Sequence, residues 1–346
     1  MLDRMTGLRL SAALALLIGL TLAARAETLD QLYAKAKAEG ALEIYGGGGA
    51  AGTKAAADAF MKRFPGITVT PHGDFSNVLD IEIDRQLKDK HITADYVQFQ
   101  TVADYHRWDK AGALLHFKPE GFDQVLEPMK DKNGAWVAVN ANPLFYGYNA
   151  DKVADADVPK SALDFLKPQF RGLLVTAYPA DDDATLYDFE LKVQKYGASY
   201  LKKYLANQPY FIQGHRDVAA RLKSGASALS FDVSNGSQGG ALKVVMSAQD
   251  KTPVFFTAGG ILKQAPHPNA AKLYESWLLS TETQGKNPLL YSPRRDVPPP
   301  AGMPPLTSPK FANGYRDFLG DGKRMVQLRQ RYAALTGPVT NKATVP

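Results

Sequence analysis

The stretch Ala41 to Val69, ALEIYGGGGAAGTKAAADAFMKRFPGITV, constrains the fold most, because it sets a glycine loop between a strand and a helix and returns at once to a second strand. Leu42, Ile44 and Tyr45 form a short apolar run suited to a buried strand, and Gly46 to Gly49 turn the chain. Thr53 is expected to cap a helix that reaches about Phe64, with Ala55, Ala59, Phe60 and Phe64 on its inner face. Pro65-Gly66 breaks that helix, and Ile67 to Thr70 reads as the next strand. So short a link implies a right-handed parallel crossover. Two nucleotide motifs come close to a match here. Gly47, Gly49 and Gly52 fit the dinucleotide spacing G-x-G-x-x-G, with Asp74 about 20 residues on for a ribose hydroxyl. The P-loop pattern fails, because Thr53 and Lys54 stand in the reverse of the order it needs.

The start of the chain argues against a dinucleotide. Residues 1–26 carry Arg4 and Arg9, an apolar run from Leu10 to Ala23, and then Ala24-Arg25-Ala26, the pattern of a secretory signal peptide cleaved after Ala26. That run is shorter than the roughly 20 residues a membrane span requires, and none comparable follows it. No twin-arginine pair precedes it, so the chain is expected to be exported unfolded, away from nicotinamide and flavin pools. No cofactor is expected. The absence of cysteine removes disulfides, thiolate metal sites, cysteine nucleophiles and a lipid anchor at the cleavage point, which leaves a free periplasmic protein. Losing the leader, with Arg4, Arg9 and Arg25 against Asp3, lowers the net charge from +6 to +4. Lysines and arginines are spread along the chain, so no nucleic-acid partner is expected. Roughly 320 residues remain, enough for two domains at about 100 to 200 residues each.

Strand and helix signals alternate along the mature chain. Asp30 to Glu39 is a short helix stopped by Gly40; Leu79, Ile83 and Leu87 mark another; Asp95 to Phe99 reads as a strand; Val102, Tyr105 and Trp108 recur at helical spacing up to Gly112. This is the signature of a doubly wound sheet. Ala135 to Asn140 and Leu144 to Tyr148 are two strand-like runs suited to a crossing between domains. A second alternation follows, with a strand at Leu173 to Thr176, a helix at Thr185 to Tyr196 behind the run Asp181-Asp182-Asp183, a helix near Asp217 to Lys223 and a strand at Ala228 to Phe231. Val254 to Leu262 is suited to the return crossing, Asn269 to Leu279 to a helix, and Val297 to Pro300 to an extended connector.

Four blocks carry a resemblance: AADAFMKRFPGITV (Ala56 to Val69), YHRWDKAGALLHFKP (Tyr105 to Pro119), APHPNAAKLYESWLLSTETQ (Ala265 to Gln284) and YSPRRDV (Tyr291 to Val297). In this order they resemble the periplasmic solute-binding proteins of ABC transporters, in the family 1 group that includes ferric-iron binders, and the resemblance covers essentially the whole mature chain. It implies an α/β, type II-like periplasmic binding fold of two lobes, each a sheet flanked by helices, joined by two hinge crossings. Residues 27–143 and 253–346 would form lobe one and 144–252 lobe two. It further implies a monomer that closes on a small-molecule solute and docks transiently on an inner-membrane permease, without a chemical step.

Carried over position by position, the resemblance puts ligand contacts at Gly47, Gly48, Gly49, Phe75, Ser76, Thr101, Asn140, Asn142, Tyr178, Asp182, Asp183, Thr185, Asp232 and Ser234. Physics agrees on the place, since free N–H groups at helix N-termini and the crevice beyond the strands' carboxyl ends both favour a polar or anionic guest. Ferric binders carry adjacent tyrosines after the strand that corresponds to Ala228 to Phe231, whereas this chain reads Phe231-Asp232-Val233-Ser234. A small polar organic solute is therefore expected, with bare ferric ion or a metal chelate as the alternative. Asp181 to Asp183 read as a helix cap whose charge works against an anion. Arg294 and Arg295 read as solvating a connector, and His72 and Asp74 as turn formers, with no metal site. No H-E-x-x-H or G-x-S-x-G occurs, since Asn235 occupies the first glycine position before Ser237, and the six histidines are not clustered. No catalytic residue is expected. A secreted hydrolase or oxidoreductase using the Gly47 to Gly52 loop is the reading from another class, and a sensor docking on a signalling receptor is a third.

Overall fold

The structure is a computed structural model that describes residues 26 to 344. The segment expected to be a signal peptide, apart from Ala26 at its expected cleavage point, lies outside the described residues. Helix α1 (Leu29–Glu39) opens on a capping box between Thr28 and Gln31 and stops at Gly40, whose φ of 71° is left-handed. Strand β1 (Ala41–Gly47) buries Leu42, Ile44 and Tyr45, as its apolar run requires. Helix α2 (Ala50–Arg63) leads to β2 (Thr68–Asp74), which lies parallel to β1 with Ala41 opposite Thr68 and Gly47 opposite Asp74.

Thr53 does not cap α2. The helix starts at Ala50 on Gly49, where φ is 97° and ψ 159°, a turn open to glycine that closes the loop earlier than a threonine cap would. Thr53 is instead buried in the first turn, its hydroxyl donating to the carbonyls of Gly46 and Gly49, both at 3.1 Å. It leads the inner face with Ala57, Phe60 and Phe64, while Ala55 is exposed and Ala59 half-buried.

Helix α3 (Ser76–Asp89), strand β3 (Tyr96–Phe99), helix α4 (Val102–Lys110) and the short β4 (Leu114–Leu115) complete the first alternation. The chain then enters β5 (Val137–Asn149), one continuous strand where two runs were expected. Pro143 breaks the run in sequence but not in space. It sits opposite Val254, just before β5 takes up its next partner at Leu144, a place where a missing backbone donor is tolerated.

The second alternation is β6 (Val175–Ala177), α5 (Asp183–Tyr196), α6 (Ser199–Ala206), β7 (Tyr210–Ile212), α7 (His215–Lys223), β8 (Leu229–Ser234) and β9 (Leu242–Val245). Strands β6 and β7 pair in parallel, and β8 and β9 both pair antiparallel with β5. The return is β10 (Thr252–Leu262), antiparallel to β3 and β5. The main sheet runs β2-β1-β3-β10-β5-β8, so β5 and β10 are the only strands of that path shared by the two halves. This is the two-lobed type II arrangement with two crossings. The last elements are α8 (Pro268–Leu279), α9 (Thr281–Gln284), β11 (Phe311–Ala312), α10 (Tyr315–Leu319) and α11 (Gly322–Thr336).

Two apolar clusters sit on the outer sides of the lobes, one around Leu42, Phe60, Tyr274 and Trp277, the other around Val175, Ile212, Leu222 and Val233. A third, with Tyr105, Trp136, Phe231 and Phe256, continues through the middle of the molecule. Helix α11, expected with lobe one, makes its polar contacts with α5. The Arg329 guanidinium grips the Asp183 carboxylate at 2.7 and 2.9 Å, and the Tyr332 hydroxyl donates to Glu190 at 2.9 Å.

Candidate functional site

A cavity of about 300 Å³ lies where the two halves meet. One wall comes from the carboxyl ends of parallel strands: Gly47 and Gly48 after β1, Phe75 and Ser76 after β2, Gln100 after β3. Close packing explains Gly47 and its neighbour Gly73. A Cβ on Gly47 would lie 2.1 Å from the Ser76 hydroxyl, and one on Gly73 would lie 2.5 Å from the Ala50 Cα. Ser76 accepts from the Gln100 N–H at 3.2 Å, which ties two strand ends together.

The floor is supplied by the crossing strands. Asn140 and Asn142 of β5 lie beside Phe255 and Thr257 of β10. The Asn140 side-chain oxygen accepts from the Asn142 amide at 2.8 Å and from the Thr257 N–H at 3.0 Å, which fixes which way both amides face.

The opposite wall is the N-terminus of α7 with Asp182 and Ser234. His215 stacks on Phe255, with ring centroids 5.5 Å apart at 19°. Its Nδ1 lies 2.7 Å from Asp232 and its Nε2 3.2 Å from Asp182. Neither contact is well aligned as a hydrogen bond, so the attraction is mainly charge on charge. Burial alone would push the imidazole down; the pull of Asp232 and then of Asp182 overrides it and raises His215 well above its ordinary 6.5. Burial likewise works to raise Asp182, but His215, the Thr185 N–H and Gln100 together hold it below the usual carboxylate range. Asp232 is fully buried and accepts from the Ala177 N–H at 2.9 Å and the Thr185 hydroxyl at 3.0 Å.

The acidic run is therefore satisfied within the protein. Asp181 accepts from Gln213 at 3.0 Å and from Asn77 at 3.3 Å, Asp182 shares the imidazolium with Asp232, and Asp183 is taken by Arg329. Arg216 is different. It lines the cavity, is exposed, and makes no ion pair among the described residues. Its Nη2 would come within 2.8 Å of a Cβ on Gly52 in the first turn of α2. Helices α2, α3 and α7 all begin at this cavity, so unpaired N–H groups, positive dipole ends and one unpartnered guanidinium converge there.

Of the residues named from the sequence, Gly47, Gly48, Phe75, Ser76, Asn140, Asn142, Asp182 and Ser234 line this cavity. Gly49 stands just behind as the cap of α2, its N–H on the Asp74 carbonyl at 3.3 Å. Thr185 and Asp232 form the layer beneath His215. Thr101 faces an adjoining cavity with Asp80 and Asp104, Asp183 turns to Arg329, and Tyr178 is buried with its ring on Phe211 at 5.6 Å. His72 is occupied by Glu43 at 2.7 Å and stacked on Tyr45, and Arg294 by Asp296 and the Leu279 carbonyl. Among the described residues no group of three or more His, Asp or Glu side chains is placed to hold a metal ion. His215, Arg216, Phe255 and Thr257 were not singled out from the sequence. The available signal was Gly214-His215-Arg216-Asp217, a glycine between a strand and a helix, the same pattern that flagged Gly46 to Gly49.

Residues 84–233 match the family described as bacterial extracellular solute-binding protein. The Fe(3+)-binding periplasmic protein of Serratia marcescens is 24% identical over 174 residues, an alignment that covers 46% of this chain and 51% of that protein. The chain thus spans about half the length of the curated relative it matches. Among solved structures, iron-bound HitA of Pseudomonas aeruginosa superposes with a TM-score of 0.68 at 19% identity, covering 84% of this chain and 99% of its own. AfuA of Actinobacillus pleuropneumoniae, with fructose-6-phosphate bound, gives 0.71 at 18%, covering 85% and 97%. At these identities the structures establish the fold, and the matched family is one of binding proteins rather than enzymes. The chain is thus similar to bacterial extracellular solute-binding proteins over residues 84–233, and it has the two-lobed fold of the periplasmic binding proteins among its structural neighbours.

Proposed function

We propose that this protein is the periplasmic receptor of an ABC importer and that its solute is a small organic anion held between the lobes. The observation that carries this reading is the charge balance of the cavity. Three helix N-termini and the unpaired Arg216 face a space lined by two carboxylates, Asp182, held by His215 and Gln100, and Asp217, held on one oxygen by Thr344. That removes the objection that Asp181 to Asp183 raised. Ser76, Ser234, Asn140 and Asn142 add neutral hydrogen-bonding groups suited to hydroxyls.

Capture works by hinge closure with no chemical step. The lobes divide within β5 near residues 143 and 144 and at the start of β10 near 252 and 253, with 322–344 attached to lobe two. A solute that touches both walls favours the closed form, because equal binding to both forms would shift nothing. The closed monomer then docks on an inner-membrane permease.

A ferric chelate of an organic acid is the second reading, favoured by the name of the Serratia relative. Among the described residues no tyrosine lines the cavity to serve as a phenolate ligand for bare Fe(III). A thermal-shift screen of the mature protein against sugar phosphates, carboxylates, phosphonates, polyamines, ferric ion and ferric citrate separates these readings. A ligand at 100 times its dissociation constant adds roughly 2.7 kcal/mol, a shift of a few degrees. Stabilisation by phosphorylated or carboxylated solutes supports the proposal; stabilisation only by ferric species or polyamines refutes it.

A further inference from the structure

The C-terminal tail reaches the cavity wall. After α11 ends at Thr336 with Gly337 as its cap, residues 338–344 run along the edge of β7. The Asn341 amide donates to the Phe211 carbonyl at 2.7 Å, and the Gln213 N–H donates to the Asn341 carbonyl at 2.9 Å. Ala343 N–H reaches the Gln213 side chain at 3.4 Å, and Thr344 donates to the Asp217 carboxylate through both its N–H and its hydroxyl. Tyr178, a ligand contact by the family resemblance, anchors this tail instead. Its hydroxyl accepts from the N–H groups of Thr340 and Asn341 at 3.4 and 3.3 Å.

These contacts bracket the start of α7. Gln213 and Asp217 flank His215 and Arg216, and residues 215 to 217 all line the cavity. Gln213 also holds Asp181, which in turn accepts from Asn77 on the other side of the cleft. Asp217 shares the cavity wall, and Thr344 occupies one oxygen of its carboxylate. Released, that carboxylate would be free to swing toward a bound anion.

We infer that the tail is a brace for the solute site, with Asn341 and Thr344 as positioning residues that hold Gln213 and Asp217, and through them the Arg216 end of α7. The inference rests on the cleft being the solute site proposed above. A chain ending after Gly337 keeps α11 and its contacts to Asp183 and Glu190, so it is expected to fold. Its amide hydrogen exchange over residues 213–218 should rise about tenfold or more, while α2 and α3 are unchanged. Thr344→Val, which removes the hydroxyl at nearly constant shape, should show part of the same effect, and Thr344→Ser should restore protection. Titrations with fructose 6-phosphate and inorganic phosphate should be weaker in the truncated chain than in the intact one. Unchanged exchange at 213–218 after truncation overturns the brace. An intact chain that binds neither probe counts against the anion proposal instead, and the exchange measurement still decides the brace.

Discussion

The Gln100 side-chain amide donates to the Asp182 carboxylate at 3.1 Å, joining the end of β3 to the cap of α5 across the cavity between the two halves. A parallel bond from Asn77 to Asp181 lies close by at 3.3 Å. These are bonds that an open form would lack. A typical hydrogen bond contributes about 0.5–1.5 kcal/mol, more when one partner is charged, so Gln100→Ala should lower solute affinity by about threefold to tenfold. Small-angle scattering should show a larger mean radius for the unliganded variant than for the wild type. Identical radii and affinity would mean that the bond plays no part in closure.

Arg216 carries the selectivity for anions in this account. Hydrogen bonds to charged groups contribute about 1.5–3 kcal/mol, so Arg216→Gln should weaken binding of the anionic solute by about tenfold to a hundredfold. The melting temperature without solute should hardly move, because the side chain is exposed and has no ion-pair partner among the described residues. Calorimetric titration of the variant reads the first effect and its melting curve the second.

His215 makes stability depend on pH in a definite direction. Its folded-state value is raised well above 6.5 by Asp232 and Asp182, so the folded protein binds this proton more tightly than the unfolded chain does. The contribution is complete below about pH 6.5 and is lost as pH climbs through the raised value. Melting temperatures followed from pH 6 to 10 should decline, and His215→Gln should have a lower plateau with a shallower decline. A slope unchanged by the substitution would assign the decline to other groups.

Gly73 tests the glycine loop as a packing device. A Cβ there would press on the backbone of Ala50 and on the Gly49 carbonyl at 2.5 to 2.9 Å, and backbone cannot step aside as a flexible side chain can. Gly73→Ala should destabilise by about 1–3 kcal/mol, the usual range for overpacking, and should impair solute binding because the start of α2 moves. Urea denaturation gives the first number.

Much of the site was legible because it follows a repeated local rule. A buried strand and a glycine turn were readable at Tyr45 to Gly49, and Phe75 and Ser76, named through the family resemblance, stand at the matching place after β2. The cap of α2 was misread because Thr53 and Gly49 are told apart only by a positive φ that residue type permits but does not announce. Strand β5 was read as two runs, since the tolerance of Pro143 between them depends on where β5 changes partners. Asp181 to Asp183 looked repulsive toward anions because Arg329, Gln213 and His215 are distant in sequence or belong to an unrecognised turn. The tail's grip on Tyr178 spans 162 residues and leaves no local pattern to read.

The most direct test of the central claim compares a sugar phosphate with its unphosphorylated sugar by calorimetry on the mature protein. An anion held by Arg216 and three helix N-termini should bind one to one, remain chemically unchanged, and be preferred by about a hundredfold or more over the neutral sugar, which corresponds to about 2.7 kcal/mol. Equal affinities for the two, turnover of either, or binding of ferric ion alone would contradict the account.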